Sequence, residues 1–85
     1  MEVEIIRLPE VSRTTGLARS TIYLRIEQGL LPKPVSLGGK AVGWPATEIS
    51  QINAARIAGK SNEEIKNLVD ELENQRGKER GIHHD

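Results

Sequence analysis

Apolar positions recur along the chain in short bursts, and each burst is closed by a glycine or a proline. Val3-Glu4-Ile5-Ile6 is β-branched and reads as a short strand or an extended lead-in. Pro9 suits the first position of a helix, where its missing N–H costs nothing. A helix over about Pro9–Thr15 puts Leu8, Val11 and Thr15 on one face, and Gly16 supplies the stop. Leu17-Ala18 leaves room only for a tight connection. A second helix over Arg19–Gln28 then turns Ile22 and Ile26 inward, with Leu30 just beyond and Gly29 as its end. Ser20 and Thr21 are candidates to cap its first turn. Arg19, Thr21, Arg25 and Gln28 are read as its polar outer side.

The next segment changes period. Pro32 and Pro34 forbid helix and hold Leu31–Pro34 extended. Val35-Ser36-Leu37 alternates as a strand does, Gly38-Gly39 suits a hairpin corner, and Ala41–Trp44 is the return strand. A third helix is predicted over Pro45–Ala58, ended by Gly59. Its apolar side is Ile49, Ile52 and Ile57, interrupted by Asn53 and Arg56. The fourth helix has the clearest signature. Ser61 and Glu64 form a capping box, and Ile65, Leu68, Val69 and Leu72 recur at i, i+3, i+4 and i+7. Past Gln75 the chain turns polar and is expected to fray. No internal repeat is visible. The organisation expected is a unit over 1–58, a helical extension over 59–76 that packs on it or dimerises, and a flexible tail over 77–85.

Composition bounds this picture more than it fills it. A chain of 85 residues is one domain by default, and a domain this small is marginally stable. The aromatic residues are Tyr23 and Trp44 alone, so aliphatic side chains must build the core around Trp44. The chain has no cysteine, which fits a reducing cytosol. No apolar run approaches the roughly 20 residues of a membrane span, and the start MEVEIIRLPE lacks the apolar region of a signal peptide. A soluble cytoplasmic protein is the expectation. The formal net charge is zero, but its distribution is uneven. Between Arg7 and Pro45 stand six basic residues against Glu10 and Glu27, whereas Glu63, Glu64, Asp70, Glu71 and Glu73 crowd the final helix.

Two short helices across a tight glycine-containing turn, followed at once by a hairpin, make a winged helix-turn-helix. The fold class expected is therefore mainly α with a small β-hairpin, plus a C-terminal helix. A helix is narrow enough to enter a DNA major groove, and a glycine-tipped hairpin reaches the neighbouring backbone. On this reading Arg19, Ser20, Thr21 and Arg25 enter the groove. Arg13 and Lys33 hold phosphates, Tyr23 packs at the rim or bonds a phosphate, and Lys40 touches the backbone from the hairpin tip.

The stretch RLPEVSRTTGLARSTIYLRIEQGLLPKPVSLGGKAVGWPATEI resembles the AlpA family of small phage-type transcriptional regulators. Its most specific pieces are Thr15-Gly16-Leu17, Arg19-Ser20-Thr21-Ile22-Tyr23, Gly29, Leu31-Pro32-Lys33-Pro34-Val35, Leu37-Gly38-Gly39 and Trp44. The resemblance spans Arg7 to about Ile49, and ARIAGKSNEEIKNLV looks like the extension of some members. It implies a MerR-like, excisionase-related fold that binds double-stranded DNA near prophage or genomic-island genes. Three positions depart from the pattern. Leu24 stands where such proteins often carry a basic or polar residue, and it suits a thymine methyl or a partner surface. Arg25 stands where a generic helix-turn-helix has its last buried anchor, so Ile26 takes the inner role. Ser12 replaces the usual alanine at the helix–helix approach.

Other chemistries find little footing. Ser12, Ser20 and Ser36 have no histidine in a structured segment to activate them. Gly38-Gly39-Lys40 is too short for a phosphate loop. His83-His84-Asp85 is read as tail rather than as a metal site, because a zinc site wants more ligands on a rigid frame. No enzyme activity, cofactor or metal is expected. Two alternatives stay open beside a sequence-specific regulator: an architectural factor that bends DNA, and a protein-interaction adaptor on the same fold. A homodimer or cooperative array through Ile65, Leu68, Val69 and Leu72 is open too, although the stripe spans only about two turns, too little for a long coiled coil.

Overall fold

The computed structural model describes residues 3–84, with side chains described for residues 3–76. The elements run β1 (Ile5–Ile6), α1 (Leu8–Thr15), α2 (Arg19–Glu27), β2 (Val35–Gly38), β3 (Ala41–Pro45), α3 (Ala46–Ile57) and α4 (Asn62–His84). The fold is mainly helical with one small antiparallel sheet, in the manner of a winged helix. The lead-in joins the hairpin: strand order is β1-β3-β2, with Ile5 opposite Pro45 and Ile6 opposite Trp44.

Local chemistry sets most of the boundaries. Gly16 follows α1 in the left-handed region (φ 75), and its N–H bonds to the Ser12 carbonyl. Two side chains reinforce the turn. The Ser12 hydroxyl donates to the Leu17 carbonyl at 2.7 Å, and Thr15 Oγ1 donates to the Val11 carbonyl at 2.7 Å. Ser12 therefore does more than fit where an alanine would. The turn leaves no cap for α2 from Ser20 or Thr21. Ala18 occupies the N-cap position with extended backbone, and no side chain bonds there. Ser20 and Thr21 fall inside the first helical turn, past the position from which a hydroxyl reaches back. Likewise α3 begins at Ala46 rather than Pro45, which stays extended as the N-cap residue. The capping box forms at α4: Ser61 N–H donates to Glu64 Oε1 at 2.9 Å, and Glu64 N–H donates to Ser61 Oγ at 3.2 Å.

The core comprises Ile6, Val11, Ile22, Leu30, Leu31, Trp44, Ile49 and Ile52, closed by Ile65, Val69 and Leu72 of α4. Leu68 is half-buried against the same cluster. The apolar stripe of α4 is thus consumed within the chain, and the expectation that these four residues face a second copy or an adaptor's partner loses its surface. Ile57 departs from expectation as well. It is 87% exposed at the end of α3, one helical position off the buried line of Ile49 and Ile52. The backbone of α4 continues as helix to His84, well past the stripe, where a flexible tail was expected from residue 77. The side chains of His83 and His84, and Asp85 entirely, lie outside the described residues. Among the described residues no group of carboxylates, histidines or cysteines is arranged to hold a metal ion, and no helix is long and apolar enough to cross a membrane.

Gly43 has the least room of the glycines in the sheet. A Cβ there would lie 2.6 Å from Ile5 Cγ2, 3.0 Å from the Ile6 carbonyl oxygen and 3.2 Å from Leu37 Cδ1. The strands close over the missing side chain, so Gly43→Ala should destabilise the fold by about 1–3 kcal/mol through overpacking. Urea unfolding followed by circular dichroism measures this, and an unchanged midpoint would contradict it.

The α4 cap makes a second prediction. The backbone N–H of Ser61 first, then the nearby Lys60 cation and the Ser61 hydroxyl, hold the Glu64 carboxyl below its ordinary value. The unfolded state then binds the proton more readily. The cap's contribution is present above the ordinary glutamate range and is lost as pH falls through the lowered folded-state value. The stability difference between the native chain and Glu64→Gln should shrink on acidification in thermal melts. A pH-independent difference would contradict this cause.

Candidate nucleic-acid interface

At 100° per residue, Ile22 and Ile26 turn α2 toward the core, Ser20, Leu24 and Glu27 face away from it, and Tyr23 and Arg25 fall on its two opposite flanks. Burial agrees: Ile22 is fully buried and Ile26 half-buried, whereas Ser20, Tyr23, Leu24 and Glu27 are exposed. Arg19 is exposed at the first helical position. The exposed side of α2 therefore carries two sizeable apolar groups, Tyr23 at 50% and Leu24 at 49% exposure. Among the described residues neither belongs to the core nor packs against it.

Arg25 is not on that face. It sits on the flank next to Ile22, half-buried, and lines a groove of about 410 Å3 between the end of α1, α2 and the end of α3. Thr14, Asn53 and Arg56 share that groove over a floor that includes Leu17 and Ile52. Asn53 Nδ2 donates to the Thr14 carbonyl at 3.0 Å, so the residue that interrupts the apolar side of α3 ties it to α1. Thr21 lies half-buried, on the flank adjoining Arg25. Of the outer side read from sequence, Arg19 and Gln28 are exposed but Thr21 and Arg25 are half-buried, and Ser20, Tyr23, Leu24 and Glu27 are exposed instead. The signal for this was present: with Ile26 as the inner residue after Ile22, position 25 falls beside the core and position 24 opposite it.

The remaining predicted cations are dispersed around this helix. Arg13 projects from α1 with its side chain 71% exposed and makes a loose ion pair with Glu10 at 3.6 Å, a contact worth little in water. Lys40 stands exposed at the hairpin tip next to Gly39 (φ 56), with Gly38 (φ 107) paired across to Ala41. Lys33 is exposed between α2 and the wing. Both of its backbone groups are taken by α4: its N–H donates to Glu73 Oε2 at 2.8 Å, and its carbonyl accepts from Arg76 Nη2 at 2.8 Å. Arg76 also bonds both oxygens of the buried Glu48 carboxylate, with Nε at 2.9 Å from Oε2. Glu48, Glu73 and Arg76 were missed in the sequence. They lie up to 43 residues from the backbone they hold, and no local spacing relates them. Glu48 alone left a trace, since it stands one turn before Ile52 on the side of α3 that packs inward.

Residues 4–57, from β1 to the end of α3, match the family of the prophage CP4-57 regulatory protein AlpA. The uncharacterized protein ORF88 of Enterobacteria phage P4 is 51% identical over 55 residues, covering 65% of this chain and 62% of that protein. The DNA-binding transcriptional activator AlpA of Escherichia coli (strain K12) is 42% identical over 55 residues, covering 58% of this chain and 79% of that protein. This chain therefore spans about three fifths of the length of the phage relative. No solved structure matches it. With the family match extending over the helix-turn-helix, the wing and α3, the chain belongs to the AlpA family.

Proposed function

We propose that this protein is a sequence-specific DNA-binding transcriptional regulator of the AlpA type, acting in the cytoplasm on prophage or genomic-island genes. The observation that carries the reading is the exposure of α2, the second helix of the helix-turn-helix, which holds Tyr23 and Leu24 half-exposed. The name of the Escherichia coli relative supports it. Arg19 and Ser20 contact base edges from the first turn, Leu24 meets a thymine methyl, and Tyr23 lies against the backbone or a neighbouring base. Arg13, Lys33 and Lys40 neutralise phosphates, which fix the register without reading sequence. Arg25 and Thr21, on the flank, support the helix and its rim rather than the bases. Zero net charge is compatible with this role, because the acidic surplus sits on α4 and the basic surplus before it.

Fluorescence anisotropy against a pool of genomic fragments tests the proposal, repeated from about 50 to 200 mM salt. One enriched fragment, with affinity falling steeply as salt rises, is the expected result. Weak binding to every fragment alike would overturn it. Moving the enriched site along a fragment then decides between a plain regulator and a DNA-bending factor, whose complex would change mobility with position.

On the enriched site, Leu24→Ala should cost about 1–3 kcal/mol and relax the preference at one thymine. Lys40→Ala should weaken all sequences alike and lower the salt slope by about one. Arg25→Ala should leave base preference unchanged. Competition titrations with single-base variants separate these outcomes, and loss of a guanine preference in Arg25→Ala would put Arg25 back in the groove.

A further inference from the structure

Between the end of α2 and the start of β2, residues 28–34 belong to neither helix nor sheet. This segment fixes the angle between the helix that enters the groove and the wing that reaches beside it. Its first half is tied to α2, with the Leu30 N–H donating to the Arg25 carbonyl at 2.8 Å. Pro32 is tied to the sheet, its carbonyl accepting from Trp44 Nε1 at 2.9 Å. Lys33 is tied to neither. Its N–H goes to Glu73 and its carbonyl to Arg76, both on α4. Arg76 is in turn locked by the buried Glu48 at the start of α3. The family match ends at residue 57, so the two side chains that hold Lys33 come from outside the matched region.

From this arrangement we infer that Glu73 and Arg76 are positioning residues for DNA binding: α4 is a clamp that sets the wing and the Lys33 cation relative to α2. The inference rests on the DNA-binding reading for its purpose, and on the hydrogen bonds alone for its mechanism. Arg76 suits the task because its planar guanidinium bonds a carboxylate with one edge and still has a hydrogen for a carbonyl. Glu73 supplies the acceptor that the Lys33 N–H lacks, since no sheet partner reaches it. The Lys33 side chain is exposed, as a phosphate ligand needs, and makes no ion pair among the described residues. The clamp acts on the backbone beneath the cation and not on the cation itself.

The full chain tests this in two stages. Free in solution, Glu73→Ala and Arg76→Lys should raise the exchange rate of the Lys33 amide and change the residual dipolar couplings of residues 35–42, with those of α2 unchanged. Leu68→Ala, which loosens α4 without touching the clamp, is the control and should change neither. Unchanged couplings and exchange in both clamp variants would overturn the inference whether or not the protein binds DNA. On the enriched duplex, both variants should lose about tenfold in affinity. They should also lose the phosphate contacts seen by ethylation interference beside the wing, while single-base preferences along the α2 footprint are retained. Lys33→Ala should remove one phosphate contact with the hairpin couplings intact. A wing that moves with no change in phosphate contacts would overturn the positioning role. If the native chain selects no fragment, the DNA-binding reading fails and the positioning role falls with it, while the couplings still decide whether α4 sets the wing.

Discussion

The indole N–H of Trp44 is buried with its ring, and a buried donor without an acceptor is costly. It finds the carbonyl of Pro32, twelve residues back along the chain. That one bond fixes where the segment after α2 crosses the sheet. The ring lies in the same buried cluster as Ile22, Leu30 and Ile49. With no phenylalanine in the chain, the single tryptophan supplies the volume that several aromatics supply elsewhere. The wing, α2 and α3 all contribute to the core that contains it.

The second constraint is cover. The family-matched region brings β1, the helix-turn-helix, the wing and α3, but leaves one side of its core to α4. Ile65, Val69 and Leu72 fill that side, and burial of side chains this size stabilises by about 1.5–3 kcal/mol each. The helix also brings Arg76 to the Glu48 carboxylate, which lies too deep for water to solvate well. Glu63, Glu64, Asp70 and Glu71 of α4 stay exposed to solvent. Charge segregation in a neutral chain thus follows from packing: the helix that seals the core is also the one that carries the acids.

What was legible in the sequence was mostly local. Gly16 and Gly29 stop their helices because both adopt positive φ there, and the Ser61–Glu64 box begins α4 because its two bonds span three residues. The wing, its glycine corner and the burial of Trp44 were readable for the same reason. Two kinds of feature were not. Polarity alone points to an outer face of α2 through Arg25; the helical period, anchored on Ile22 and Ile26, puts Leu24 outside and Arg25 on the flank. The Glu48–Arg76–Lys33–Glu73 network was invisible because its members meet only after the chain has folded. The missing cap at α2 is a matter of register, since Ala18 holds the N-cap position two residues before Ser20.

An amide chemical-shift titration of the native chain with the enriched duplex measures the proposed DNA-binding surface directly. The largest shifts are expected at Arg19, Ser20, Tyr23 and Leu24, with a second set at Gly39 and Lys40 and little change along the outer face of α4. Shifts concentrated on α4, or around Arg56 and Ile57 with α2 silent, would contradict this expectation.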